Sequence, residues 1–301
     1  MNRAPLIAAL TLVAACRGFI DNQAAASTYR ILERSQQAAR RLPDLDLARA
    51  ALPGGILQLE AFALAYPAHA GFKRLHAEAL CQYAVAFVFD DWEAARLEAR
   101  TADADRLAAR VVRLATMCAD ANLALLPPAW RDARAGGADA WNAVVATATR
   151  AQLAPMLWIA TTDAVVLATD PLRGLARLGM ITTTLERCVA LEPGFHDADA
   201  ELRLGTLAAG RSQFLGGADG EAWFAQARAR RGDGALLVDV MFARGTLVAR
   251  QDRDQFERTL RAVLAADVSR WPERRLANEL ARRKAERYLA AIDRLIPTDR
   301  P

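Results

Sequence analysis

Apolar positions in this chain recur at three- and four-residue intervals over nearly its whole length, the spacing of helices that each bury one face. Leu107, Val111, Leu114 and Cys118 fall on one such stripe, and Leu276, Leu280, Tyr288, Ile292 and Leu295 on another. Following the stripes and their interruptions predicts helices over 24–41, 53–66, 72–89, 92–125, 139–150, 155–169, 175–191, 197–213, 221–230, 235–249, 252–265 and 272–295. Pro53 reads as a first-turn proline, and Asp90-Asp91 as carboxylates capping a helix boundary. Pro127-Pro128, Gly136-Gly137, Pro193-Gly194 and Gly216-Gly217 read as turns. Two alternating strands around a tight turn occur nowhere, so the expected fold is all-α.

The first apolar run is different. It extends from Leu6 to Ala15 behind a single positive charge, Arg3, and ends in Val13-Ala14-Ala15-Cys16. Roughly ten residues are too few for a bilayer core that needs about 20. The pattern is that of a secretory leader closing in a lipoprotein cleavage box. It predicts a signal peptide over 1–15, a lipidated Cys16, a short tether over 16–23 and an all-helical domain over 24–301. Stable anchoring takes more than one acyl chain. Arg17 rather than aspartate follows the cysteine, which points to the outer membrane. No other stretch is expected to cross a membrane.

Composition narrows the choice further. Hydrophobic residues make up 53% of the chain, much of it alanine, and aromatics only 7%, a balance that suits closely packed helices better than sheets. Thirty-nine Lys and Arg stand against 35 Asp and Glu, interspersed, for a net charge of +4; this is no nucleic-acid stripe. Arg274, Arg275, Arg282, Arg283, Lys284 and Arg287 read as the solvated face of the last helix. With Cys16 lipidated, Cys81, Cys118 and Cys188 remain, without metal-ligand spacing, and read as small buried hydrophobes rather than a disulfide pair.

Catalytic patterns do not assemble. His69, His76 and His196 form no His-Glu-x-x-His spacing, and neither a Gly-x-Ser-x-Gly elbow nor a phosphate loop is present. No reaction, cofactor or metal is therefore expected. Weak repeats do occur. Gly55, Leu59, Phe62 and Pro67 have the offsets of a second tetratricopeptide helix, as do Ile181, Leu185, Cys188 and Pro193; Gly220, Phe224 and Ala227 suggest another. The register then degrades, with Arg203 where a small residue belongs and Gly205 two places late. The reading is a helical array of degenerate tetratricopeptide-like repeats, with an irregular helical bundle as the alternative.

Several segments, in order, carry a resemblance. They are Leu52-Pro53 through Tyr66-Pro67, Tyr83 to Val88 with Asp90-Asp91-Trp92-Glu93-Ala94, Leu157-Trp158, and Leu185 to Pro193 followed by Gly205. Phe214-Leu215-Gly216-Gly217 with Phe224 and Ala227, Gln251 to Phe256, and Pro272-Glu273-Arg274-Arg275-Leu276-Ala277-Asn278 with Ala281-Arg282-Arg283-Lys284-Ala285 complete the set. Together, from about Leu52 to Ile292, they resemble the T component associated with tripartite ATP-independent periplasmic (TRAP) transporters, TatT. Two departures stand out: Gly220 where that family usually has alanine, and no tyrosines over Ala208 to Gln213.

The resemblance implies an all-helical, lipid-anchored protein on the periplasmic side of the envelope that partners a TRAP-type periplasmic substrate-binding protein. It also implies a homotrimer with a central pore and cavities for a small hydrophobic or organic ligand. Pockets on helical arrays are mostly apolar, and Tyr83, Phe87 and Trp158 are the large side chains expected either to line a groove for ligand or partner or to fill the core between helices. The competing functional reading is an envelope lipoprotein scaffold with no part in transport.

Overall fold

The computed structural model describes residues 23–297, so the leader and Cys16 lie outside the described residues. The chain is helical throughout this range, with no strand among the described residues. It opens with α1 (23–39), α2 (Leu45–Ala65) and α3 (Ala70–Tyr83). A π-helical stretch, Ala84–Phe89, joins α3 to α4 (Asp90–Leu97) without a break in right-handed backbone. Then come α5 (Thr101–Leu123), α6 (Pro128–Gly136), α7 (Ala138–Ala146), α8 (Leu153–Thr169), the short α9 (Pro171–Gly174), α10 (Leu178–Leu191) and α11 (Phe195–Leu215). The last third holds α12 (Glu221–Arg231) and α13 (Leu236–Phe242), a second π stretch, Ala243–Leu247, and α14 (Val248–Arg250). It ends with α15 (Arg253–Ala265), α16 (Arg275–Ala290) and α17 (Ile292–Leu295).

Several boundaries differ from the sequence pattern, and Pro128–Gly136, read from sequence only as bordering turns, forms a helix of its own. The second helix begins eight residues before Pro53, because Asp44 caps it by accepting from the amides of Asp46 and Leu47. Pro53 is thus inside the helix, where it forfeits one backbone bond. Asp90 and Asp91 cap nothing; they sit in a continuous helix and no side-chain cap bond forms there. The expected single helix over 92–125 is two, broken at Ala99, whose φ is +57°. The last helix pauses at Ala291 before α17.

Packing follows chain order. α2 lies on α3, α3 on α5, α5 on α8, α8 on α10, α10 on α11 and α11 on α12. Successive apolar cores form along this array. One gathers Trp92, Leu107, Val111 and Val165, the next Trp141, Met156, Ile181 and Leu185, and the last Phe224, Phe242, Phe256 and Tyr288. The far end returns to the beginning: α16 touches α2, and the amide of Leu276 donates to the carbonyl of Arg40. The glycines of the α11–α12 hairpin set its closeness. Phe224 lies 3.1 Å from where a Cβ on Gly205 would stand, and a Cβ on Gly220, whose φ is +83°, would fall 2.2 Å from the carbonyl oxygen of Gly205.

Arg150–Thr169 is, against expectation, long and apolar enough to cross a membrane by length and composition, with a mean hydropathy of 1.4. Its central helix α8 is a core element instead, packed between α5 and α10 and mostly buried. The cysteines also depart from expectation. Cys81 of α3 and Cys118 of α5 form a disulfide, and the buried Asn122 amide donates to Cys81 Sγ and to the carbonyl of Cys118. Cys188 is a buried free thiol whose pKa burial pushes up to about 12, with Glu201 and Asp199 adding to the shift; it is inert as a nucleophile.

Candidate functional site

A π turn inserts one residue and rotates the side chains after it by about 100° relative to an uninterrupted α-helix. Such bulges mark functional positions more often than regular helix does. Here both π stretches border the same junction. Asp90 and Glu93 follow the first, Arg244 lies in the second, and α16 passes both.

Asp90 is 2% exposed. Lys284 Nζ lies 2.7 Å from its Oδ1 and 2.6 Å from Glu93 Oε2, and Arg287 Nη2 lies 2.9 Å from each Asp90 oxygen. Arg287 also donates to the Asp90 carbonyl, Arg283 reaches Asp90 Oδ2 at 3.0 Å, and the Tyr288 hydroxyl donates to Glu93 Oε1 at 2.7 Å. Two carboxylates therefore face three cations, with Arg244 5.9 Å from the Tyr288 ring centre as a fourth. Burial works to raise the pKa of both carboxylates, yet Lys284, with Arg287 beside Asp90 and Arg244 near Glu93, holds both below their ordinary ranges. For Lys284 burial opposes the charge, but Glu93 and Asp90 outweigh it and the ammonium is pushed up. The Tyr288 phenol is raised by burial and by Glu93, so it remains a donor.

The last-helix arginines are thus not one solvated face. Lys284 is buried and Arg283 and Arg287 reach inward, tying residues more than 190 positions apart. The sequence carried one sign of this. Ala281, Lys284, Ala285 and Tyr288 share the helical stripe that is buried. The partner half was hidden, because the π stretch breaks the period from which Asp90 and Glu93 would be placed.

A second polar node joins α3 to α11. His196 Nε2 lies 3.6 Å from Glu78 Oε1, and the His196 ring stands edge-on to Trp158 at 5.7 Å. His196, Asp197 and Ala198 all adopt left-handed backbone, a local strain at the start of α11. Burial lowers the His196 pKa, but Glu78 and Asp199 bring it above its ordinary value. A third node lies inside α8, where Asp163 takes a bidentate pair from Arg134 at 2.7 and 2.9 Å and a third bond from Arg177 at 2.8 Å.

The three side chains singled out from sequence divide between two places. Tyr83 and Phe87 are neighbours, with ring centres 5.9 Å apart. Tyr83 is half-buried and its hydroxyl accepts from Arg110; Phe87 is buried beneath the guanidinium of Arg49, which pairs with Asp91. Trp158 packs elsewhere, with Leu80 and the Cys81–Cys118 disulfide. An open cleft of about 460 Å³ lies between the start of α2 and α16, lined by Pro43, Asp44, Leu45, Asp46, Glu279 and Arg283. Among the described residues, no group of three or more His, Cys, Asp or Glu is placed to hold a metal ion.

These features define an all-helical array whose buried charges lock helices together. The model of the TRAP transporter T-component family matches residues 42–296, and the chain belongs to that family. No curated protein matches it. Membership makes it a component of a TRAP transport system rather than pointing to an enzyme, and indicates a place in the cell envelope.

Proposed function

We propose that this chain is a lipid-anchored periplasmic scaffold of a TRAP-type uptake system. It docks the system's substrate-binding protein and, as a homotrimer, passes a small apolar or organic-acid ligand through a central pore. The observation that carries this reading is the family match across 42–296. Two features support the compartment: the leader ending at Cys16, and the Cys81–Cys118 disulfide, a bond that persists in oxidising environments. The weak tetratricopeptide-like spacings fit a scaffold of stacked helix pairs, which presents broad surfaces to partners.

Tyr83 is the accessible edge of the proposed contact, with Phe87 beneath it and Arg110 and Arg49 alongside. Tyr and Arg are the residue types that dominate interface energetics. Trp158 belongs to a separate wall of the proposed groove, near His196. The test is co-purification of the chain with a TRAP-type substrate-binding protein from the same genome, followed by titration of the pair. Association is expected, and Tyr83→Ala should weaken it about tenfold while the chain stays folded by circular dichroism. No association at low or high salt, with or without solute, overturns the docking reading.

A further inference from the structure

We infer that the outward faces of α1 and α2 rest against an anionic lipid bilayer. The inference relies on the lipid-anchor reading for proximity, and on the described residues for its chemistry.

Both helices lie on α3, which fixes the faces they turn away. Tyr29 and Phe62 pack on Phe72 at 6.0 and 5.3 Å, Leu32 meets the Leu59–Leu75–Ala79 cluster, and Gln36 donates to the Leu75 carbonyl. Opposite those contacts, α2 shows Leu47, Leu57 and Leu64, the last two 67% and 75% exposed. Ala50, Gly54 and Ala61 are exposed between them, and nothing lies within 4 Å of the position a Gly54 Cβ would take. The stripe from 47 to 64 runs about 25 Å. Glu60 is the only carboxylate in α2 beyond Asp46.

The neighbouring face of α1 is basic. Arg30, Ile31 and Arg34 are exposed along it, and Arg41 follows just past its end. Arg30, Arg34 and Arg41 have no ion-pair partner among the described residues, whereas nearby Arg40, Arg49 and Arg74 are paired to Glu78, Asp91 and Glu33. Exposed leucines beside unpaired arginines are the composition of a helix lying in a membrane interface. A second copy meeting this patch about a two-fold axis would bring the same unpaired arginines together; anionic headgroups satisfy them.

The chain's path places the bilayer there. α1 starts seven residues after Cys16, a reach of at most about 25 Å. It starts at the end of the molecule where α2 finishes, with the Tyr29 and His69 rings 5.2 Å apart. A lipid on Cys16 therefore holds the membrane within reach of Leu64.

The test uses the full chain produced with its leader and purified from membranes. Intact mass reports whether Cys16 carries acyl chains, which judges the anchor separately from the face. Hydrogen exchange is then compared in detergent and on vesicles of phosphatidylglycerol and phosphatidylethanolamine. Slower exchange on vesicles across 23–65 is expected, abolished by the pair Leu57→Glu and Leu64→Glu, whose sites are too exposed to disturb the fold. Replacing Arg30, Arg34 and Arg41 with Gln should lower the docking equilibrium constant about fivefold per arginine, and added salt should imitate the loss. If Cys16 proves unmodified, co-sedimentation of the same protein with phosphatidylglycerol vesicles, lost in the leucine variant, still supports the face, and its absence overturns it. Unchanged exchange on vesicles overturns it too, as does protection in solution that rises with protein concentration, which would assign the face to a second copy.

Discussion

Lys284 is buried and shared between Asp90 and Glu93, and this makes it a sharper probe of the fold than any surface arginine. A buried pair contributes little net stability, but breaking one leaves an uncompensated charge at a cost of about 3–5 kcal/mol. Lys284→Ala strips Asp90 and Glu93 of their shared ammonium while Arg287 stays with Asp90. A loss of about 3 kcal/mol is expected, measured by urea unfolding, whereas Arg106→Ala on the exposed side of α5 should be close to neutral. At Gly220 the departure from the family's usual alanine has a steric cause. Its backbone is left-handed and a Cβ there would fall 2.2 Å from the Gly205 carbonyl oxygen, so Gly220→Ala should cost about 2 kcal/mol or more in the same measurement. Lys284 shares the buried stripe, yet in the sequence its charge outweighs its position and it reads as solvated; the constraint on Gly220 is the approach of another helix, which no local pattern shows.

Among the elements, the stripes in α5, α10 and α15 were readable because nothing interrupts their period, and α8 was readable from its nearly continuous apolar run. α3–α4 and α13–α14 were readable only as helix, since a π turn leaves composition unchanged while redirecting the side chains beyond it. The Cys81–Cys118 bond was likewise out of reach: two cysteines 37 positions apart on separate helices carry no pairing signal until α3 is laid on α5. Closing a loop of that length restricts the unfolded chain by about 4 kcal/mol in the chain-entropy account. The double variant Cys81→Ala with Cys118→Ala should lose about that much, and dithiothreitol should lower the melting temperature of the native chain but not of the variant. Of the groove candidates, sequence identified the large side chains and could not separate half-buried Tyr83 from buried Phe87 and Trp158, which depends on the neighbours each helix finds.

The whole molecule is an array whose last long helix comes back to its first third, and the closing seam is ionic. That gives the seam a pH signature. Asp90 and Glu93 ionise below their ordinary ranges in the fold, so their stabilisation is complete above about pH 4–5 and is lost as pH falls through their folded values. Lys284 is raised, so its share is complete up to about pH 10 and fades only in stronger alkali. Stability from the seam should be level through neutral pH and fall in acid. Asp90→Asn with Glu93→Gln should flatten that acid limb, and hydrogen exchange below pH 4 should quicken in α4 and α16 together in the native chain. A seam made of separate, unlinked contacts would instead let the two helices loosen at different pH.

Asp163, which gathers Arg134 and Arg177 in the folded protein, is with Arg150 one of two charged residues in the largely apolar segment Arg150–Thr169, and the only one inside α8. On the proposed export route the unfolded chain threads that segment through a membrane channel, where a uniform apolar stretch of this length would be released as a span. A carboxylate near the middle of a span adds about 2.5–3.5 kcal/mol to insertion, enough to favour passage. Asp163→Leu should therefore do more than release Arg134 of α6 and Arg177 just before α10. It should strand part of the chain in the bilayer, seen as protein that resists alkaline extraction and is open to protease on both sides of the membrane. On that route, the residue that holds Arg134 and Arg177 in the fold would also keep the segment out of the bilayer.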